Sequence, residues 1–374
     1  MRLKRVVQIS EAGKLYVSGV TVVVEGIQQF LLSLGIACQT IGAGILPYRK
    51  IQRGYPSTAP FLLLSWPTLL KHLRGADVVH VHSLTPLSIF TIWILNLFRN
   101  RPRIVLTLHT QTTAYLNSWD KTKSVKFKIK ILNILIRYIC LKADKVLVPS
   151  ENFRLELMKE ISFPPEFTVT VWSSPVVRPE LPKLTREDLL NGGSVRLDPN
   201  AKVLYYYGRI GSEKGIDFLI EVMKALNPDL NVALALVGGG EIEKYQALIP
   251  ENLRDRISFF GQKPREYGMA LAEHAFLAIT CSKTETQGLT SLELMLMGLL
   301  LLALRNTCFD QVINQSGGGV SLGRNIKEWV ENIQLLVSDP ETAIAMGKKA
   351  REYIEKNFST GLWYSKILKI YENI

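Results

Sequence analysis

Glu285 and Glu293 stand eight positions apart in the stretch F-L-A-I-T-C-S-K-T-E-T-Q-G-L-T-S-L-E-L-M-L-M-G, which begins at Phe276. Phe276–Cys281 is a short apolar run that suits a buried parallel strand. A polar loop with Gly288 follows, then an apolar stretch from Leu289 to Leu304 that suits a buried helix and the next strand. A helix starting near Gly288 or Leu289 puts Glu293 just over one turn inside it and Glu285 just ahead of it. Both carboxylates then face one crevice at the carboxyl end of a strand, where open α/β sheets bind ligands. Backbone N–H groups at such a helix start, around Gly288, Leu289 and Thr290, favour a phosphate. Carboxylates repel a phosphate and accept hydrogen bonds from sugar hydroxyls, so the stretch reads as a nucleotide-sugar site. A Glu stabilised by the helix dipole, next to an unrelated loop Glu, accounts for the same spacing without any ligand.

A second cluster of candidate groups lies upstream. Val203–Tyr207 reads as a strand running into G-R-I-G-S-E-K-G, with helical spacing over Ile216–Leu226. Gly208 and Gly211 suit a tight turn that presents Arg209 and Lys214 beside a helix start, either as a pyrophosphate clamp or as ordinary loop residues. Val232–Val237 leads to the turn Gly238-Gly239-Gly240-Glu241, and Ile257–Gly261 is a further strand.

The first half opens with a strand at Arg5–Ser10, a loop through Ser18, Gly19 and Val20, a helix from about Val22 to Leu34 ended by Gly35, and a strand at Ile36–Ile41. Gly19 sits where a phosphate can meet a helix start, or serves the turn alone; no G-x-G-x-x-G is present. His80 and His82, two apart on the strand Asp77–His82, share a face. A metal site there needs at least one more ligand, and hydrogen-bonded histidines explain them without one. Arg103–Leu108 delivers His109-Thr110-Gln111 at its carboxyl end.

These elements alternate strand with helix, the pattern of parallel sheets covered on both faces. A chain of 374 residues, 47% hydrophobic, suffices for two ordinary domains. Prolines 164, 175, 179 and 182 and the charged, Gly-rich sequence up to Pro199 read as the linker. The expected domains are 1–175 and 176–356, with a tail at 357–374.

A net charge of +12 points to an anionic partner. Between Lys121 and Lys145 eight basic residues face one acid, Asp144. Lys126, Lys130 and Arg137 line one helical stripe, with Lys123 just ahead. Val125, Ile129, Leu132, Ile136 and Ile139 line another, widened by Ile131, Ile134, Leu135 and Tyr138. Such a helix can lie on an anionic membrane surface, or pack on a core with its basic face solvated. It lacks the interleaved aromatics of a nucleic-acid platform, so no nucleic acid is expected. Cys38, Cys140, Cys281 and Cys308 are far apart and form no C-x-x-C, so neither a zinc site nor a disulfide framework is indicated, and a reducing cytoplasm fits best. The N-terminus becomes a strand too soon for a signal peptide, and the longest uncharged runs fall short of a bilayer span.

The segment E-T-Q-G-L-T-S-L-E-L-M-L-M-G resembles the Glu, seven residues, Glu signature of retaining glycosyltransferases of family 4, and T-E-T-Q-G-L-T is most similar to the diacylglycerol glucosyltransferases. G-R-I-G-S-E-K-G matches that family's G-R-x-x-x-E-K-G, V-S-G-V-T resembles its first Gly-containing loop, and Val237-Gly238-Gly239-Gly240 resembles its V-G-x-G turn. The resemblance implies a GT-B architecture: two Rossmann-like doubly wound parallel-sheet domains facing a cleft, with the tail packed back on the first. It implies donor phosphates at Gly19 and Val20, donor contacts at Gly208, Gly238, Gly288, Leu289 and Thr290, and a diphosphate clamp of Arg209 and Lys214. Glu285 would hold the transferred sugar, Glu293 the ribose diol, and His109 would approach the sugar and phosphate.

The activity so implied is retaining transfer of a hexose from a nucleotide-sugar such as UDP-glucose or UDP-galactose, with no cofactor and no divalent metal. The acceptor would be a lipid such as diacylglycerol at the cytoplasmic face of a membrane, the chain being peripherally associated with it. A polyprenyl- or saccharide-linked carrier of polysaccharide or lipopolysaccharide synthesis is the alternative, and a non-catalytic sugar-nucleotide binder the second. The sequence departs from the family in Gly298-Leu-Leu-Leu-Leu, in the loop Arg305–Asp310 without Gly-Gly, and in Gln111, where an acid often follows His-Thr.

Overall fold

The computed structural model describes residues 3–11, 19–51, 56–110 and 124–374. The chain divides into two compact units, Met1–Ser174 with Gly361–Ile374, and Pro175–Thr360.

In the first unit the strands β1 (Arg5–Ile9), β2 (Ala37–Ile41), β5 (Val78–His82), β6 (Arg103–Thr107), β7 (Lys145–Val148) and β8 (Val169–Val171) form a parallel sheet of order β2-β1-β5-β6-β7-β8. A two-residue antiparallel pair, β3 (Arg49–Lys50) and β4 (Pro56–Ser57), lies between β2 and β5 in the chain. The helices are α1 (Gly19–Ser33), α2 (Leu62–Leu73), α3 (Pro86–Leu95), α4 (Val125–Lys142) and α5 (Glu151–Glu160). From β2 through β5 to β8 the sheet strands step one way across the sheet. Right-handed crossovers therefore carry α2, α3, α4 and α5 to one face, while α1, stepping the other way, covers the opposite face. Leu69, Leu87, Ile92, Ile136, Ile139 and Leu157 pack on the first face. Val23, Ile27 and Leu31 pack on the second. Every residue of β5 is buried, as a strand covered on both sides requires.

Two expectations change here. α1 begins at Gly19, so Gly19 and Val20 are its first turn and not a preceding loop. The β-branched run Thr21–Val24 disfavours a helix locally, but burial of Val23, Ile27 and Leu31 on one stripe outweighs that preference. α4 has two apolar ridges where one broad stripe was expected. Ile136, Ile139 and Cys140 are buried, whereas Phe127, Ile131, Ile134, Tyr138 and Leu141 point outward.

The second unit holds β9 (Lys202–Tyr207), β10 (Val232–Val237), β11 (Ile257–Gly261), β12 (Leu277–Thr280), β13 (Leu301–Leu304) and β14 (Gly319–Leu322), in the order β11-β10-β9-β12-β13-β14, all parallel. Its helices are α6 (Arg186–Asn191), α7 (Ile216–Ala225), α8 (Ile242–Gln246), α9 (Arg265–Ala272), α10 (Leu289–Leu296), α11 (Phe309–Ser316), α12 (Ile326–Ser338) and α13 (Pro340–Asn357). Two hydrophobic clusters form its core, one around Leu292, Met295 and Phe309, the other around Ile216, Leu219 and Trp329.

The final helix, α14 (Thr360–Glu372), belongs to the first unit. Trp363, Ile367 and Tyr371 are buried there, with Trp363 stacked on Trp172 at 4.9 Å and Tyr364 on Phe30 at 4.2 Å.

Candidate active site

In each sheet the chain leaves its first strand in one direction and later returns to that strand's other side. β9 is flanked by β10 and β12, so the carboxyl ends of β9 and β12 border the point where strand order reverses. Doubly wound folds bind ligands there because the following loops part to opposite faces. The loop after β9 carries Arg209 and Lys214, and the loop after β12 carries Glu285.

Glycines make these loops possible. Gly238, at φ +147°, lies so close to the loop after β9 that a Cβ would stand 1.8 Å from the Gly208 carbonyl oxygen. The two loops are joined by Ile210 N–H donating to Gly239 O at 2.8 Å and Glu241 N–H donating to Ile210 O at 2.9 Å. Gly288, at φ +70°, starts α10, and a Cβ there would stand 2.2 Å from the Phe309 ring. No side chain caps that helix start, so the N-terminal turn at Leu289 and Thr290 has the donor geometry that favours an anion.

Lys214 Nζ lies 2.5 Å from Glu285 Oε1, with side chains 16% and 21% exposed. Arg209 Nη2 lies 2.5 Å from Glu213 Oε1; the arginine is 40% exposed and the carboxylate nearly buried. The Glu213 carbonyl accepts from Lys283 N–H, which ties the clamp loop to the loop of Glu285. Glu293, on α10, is buried, and Arg265 Nε donates to its Oε1 at 2.6 Å while Nη2 reaches the Val177 carbonyl at 2.6 Å. Burial raises the Glu293 carboxyl above its usual range and Arg265 opposes that shift. Burial, with Glu293 nearby, pushes the Tyr207 phenol up to about 12.

The structure therefore brings Lys214 onto Glu285 directly, joins Gly208 and Gly238 through their stacked turns, and sets Glu293 one turn into a helix begun by Gly288, Leu289 and Thr290. Glu213 and Arg265 complete the charge pairing and were not singled out from sequence. Glu213 is the Glu of the E-K-G motif. Arg265 carries no sequence signal beyond its place at the start of α9.

In the first unit His109 follows β6 and is half-buried. Its Nε2 lies 3.1 Å from Nδ1 of His82, and the rings stack at 5.4 Å. His80 pairs with Tyr371 Oη at 2.6 Å and Thr107 Oγ1 at 2.7 Å. Burial holds His80 and His82 well below the ordinary imidazole range and lowers His109 to about 4. Among the described residues no group of three or more His, Cys, Asp or Glu is arranged to hold a metal ion. Gln111 and Lys123 lie outside the described residues.

Lys126, Lys130 and Arg137 are exposed on α4. Arg137 Nε donates to Ser162 O at 2.7 Å. Among the described residues no helix is long and apolar enough to cross a membrane.

Residues 193–353 match the family "Glycosyl transferases group 1", and residues 17–176 match "Glycosyltransferase Family 4". Sulfoquinovosyl transferase SQD2 of Arabidopsis thaliana is 23% identical over 90% of this chain and 68% of that protein. Alpha-monoglucosyldiacylglycerol synthase of Streptococcus pneumoniae is 26% identical over 64% of this chain and 54% of that protein, just over half its length. The crystal structure of Anabaena HepE in complex with UDP and glucose superposes with a TM-score of 0.69 at 14% identity, covering 99% of this chain and 100% of that one. With the two sheets, their switch points and the motifs above, these matches make the chain a GT-B glycosyltransferase of the group 1 and family 4 type.

Proposed function

We propose that this chain moves a hexose, with retention of anomeric configuration, from UDP-glucose or UDP-galactose to a membrane lipid such as diacylglycerol. The observation that carries the reading is the Lys214–Glu285 pair at the switch point of the second sheet, with Glu293 on the adjoining helix. In the structure each cation lies against a carboxylate. An incoming diphosphate draws Lys214 and Arg209 to its oxygens and frees Glu285 to accept from sugar hydroxyls. As the bond from the sugar to the diphosphate breaks, charge grows on the leaving oxygen. Once drawn onto the diphosphate, these cations stabilise that growing charge more than they stabilise the ground state. In this reading Arg209 and Lys214 supply the positive charge at the diphosphate without a divalent ion, and EDTA should leave the rate unchanged. Glu293 takes the ribose diol by exchanging its bond to Arg265.

The lipid acceptor is supported by the outward ridge of α4. Phe127 (67% exposed), Ile131, Ile134, Tyr138 and Leu141 recur every three or four residues, with Lys126, Lys130 and Arg137 on one flank and Lys128 and Lys142 on the other. An apolar ridge between rows of cations suits the interface of an anionic bilayer. The similarity to a synthase named for a glucosylated diacylglycerol points the same way.

The test is transfer of label from radiolabelled UDP-glucose or UDP-galactose into vesicles of diacylglycerol and anionic lipid. Label entering the lipid phase, and lost in Glu285→Ala, is the expected result. Donor bound but never consumed would instead move the acceptor to a polyprenyl or saccharide carrier.

A further inference from the structure

Gln8 lies in the middle of the first sheet, fully buried, and so far has no role. Its amide nitrogen donates to the Val24 carbonyl at 2.9 Å and points to Cys38 Sγ at 3.6 Å. A carbonyl can only accept, so the amide is oriented with its NH2 towards α1 and its oxygen towards His82. Gln8 Oε1 lies 3.0 Å from His82 Nε2. That oxygen can only accept, so His82 carries its hydrogen on Nε2. A neutral imidazole has one hydrogen, and Nδ1 of His82 is therefore an acceptor. The atom 3.1 Å from it is Nε2 of His109, which must be the donor.

We propose that Gln8 is a positioning residue: acting through His82, it fixes His109 as the Nε2–H tautomer, so that Nδ1 of His109 is the accepting ring atom. The sequence of donors and acceptors has one consistent solution, and it is anchored at a backbone carbonyl that cannot change its role. Burial keeps His82 and His109 from taking a second proton near neutral pH. A group that meets Nδ1 must bring a hydrogen. A hydroxyl, on a sugar or on an acceptor alcohol, qualifies; a fully ionised phosphate oxygen does not. Any substrate group recognised at Nδ1 is therefore a hydroxyl, whereas the resemblance alone left sugar and phosphate both open. The step from tautomer to transfer rests on the proposed transferase reading and on the place beside the donor that the family resemblance implies for His109; the tautomer itself does not.

Long-range proton–nitrogen spectra of the full chain, labelled with 15N-histidine, read the tautomer directly. His109 is expected as Nε2–H in the unmodified protein, a result that needs no variant to fold. Gln8→Leu removes the anchor, and His109 should then shift towards Nδ1–H. The kcat for transfer should fall about tenfold, the usual effect of one misdirected hydrogen bond, with the donor KM little changed. His109 found as Nδ1–H in the unmodified protein, or still purely Nε2–H in Gln8→Leu, overturns the proposal. A shifted tautomer with unchanged kcat overturns the positioning role. Full activity in His109→Ala would instead remove the role of His109 in transfer and leave the tautomer assignment intact.

Discussion

Both sheets are parallel and reverse strand order beside their first strand, with one strand beyond β1 and two beyond β9, yet the ends of their central strands are chemically opposite. In the second unit the loops after β9 and β12 hold Lys214 against Glu285 and Arg209 against Glu213. In the first unit the strands β5 and β6 end in imidazoles kept neutral by burial. The buried carboxylate Glu11, just after β1, accepts from the Thr58 hydroxyl and the backbone N–H groups of Thr58 and Leu87, so its charge is already satisfied. Topology fixes where a ligand can meet each sheet, and the side chains decide what kind. Mobile charge suits a diphosphate; fixed neutral donors and acceptors suit hydroxyls. The first unit adds the apolar ridge of α4, flanked by cations.

The largest break in the comparison should come from Lys214→Ala. With the clamp role proposed for Lys214, its loss is expected to lower kcat by about 10²–10³-fold. Glu285 would also stand beside the phosphates without its partner. Vesicle binding should be untouched, since Lys214 lies in the second unit. The reverse separation is expected of Phe127→Ser with Ile134→Ser. Each removes roughly 1.5–3 kcal/mol of apolar burial in a bilayer, so co-sedimentation with anionic vesicles should fall by at least tenfold while UDP affinity stays constant. Folding should survive, because both side chains face outward. Glu293→Gln keeps the shape but weakens a charge-assisted acceptor, and donor KM should rise by about tenfold with a smaller change in kcat.

The last expectation is a pH slope in stability and not in catalysis. His109 titrates near 4 when folded and near 6.5 when unfolded, so the unfolded chain holds more protons between those values. Stability is complete above 6.5 and falls as pH drops through the window, by up to about 1.4 kcal/mol per pH unit for each histidine so shifted. Thermal melts from pH 7 to pH 5 should show the loss. His109→Phe should flatten part of it.

Much of this arrangement was legible in the residues. The buried strands Val232–Val237 and Leu301–Leu304 are continuous apolar runs, and the glycines that open the loops stand beside them. The segment from Phe276 to Leu304 put Glu285 ahead of a helix and Glu293 within it, where the structure has them. What could not be read is what only neighbours decide. β8 hides in a proline-rich stretch because pairing with β7 makes Val169–Val171 a strand. α6 lies in sequence taken for a linker, though Thr185 and Asp188 form a capping box. α14 was not expected as a helix; Trp363, Ile367 and Tyr371 acquire their common face from the sheet they cover. Arg265 and Gln8 matter through partners far away in sequence, and a single chain offers no sign of that.

The most direct test of the central claim is calorimetric titration of UDP into the purified chain and into Lys214→Ala and Arg209→Ala. A nucleotide-sugar site at the switch point of the second sheet predicts saturable UDP binding, weakened at least tenfold in either variant. No UDP binding by the unmodified protein, or the same affinity in all three, would contradict it.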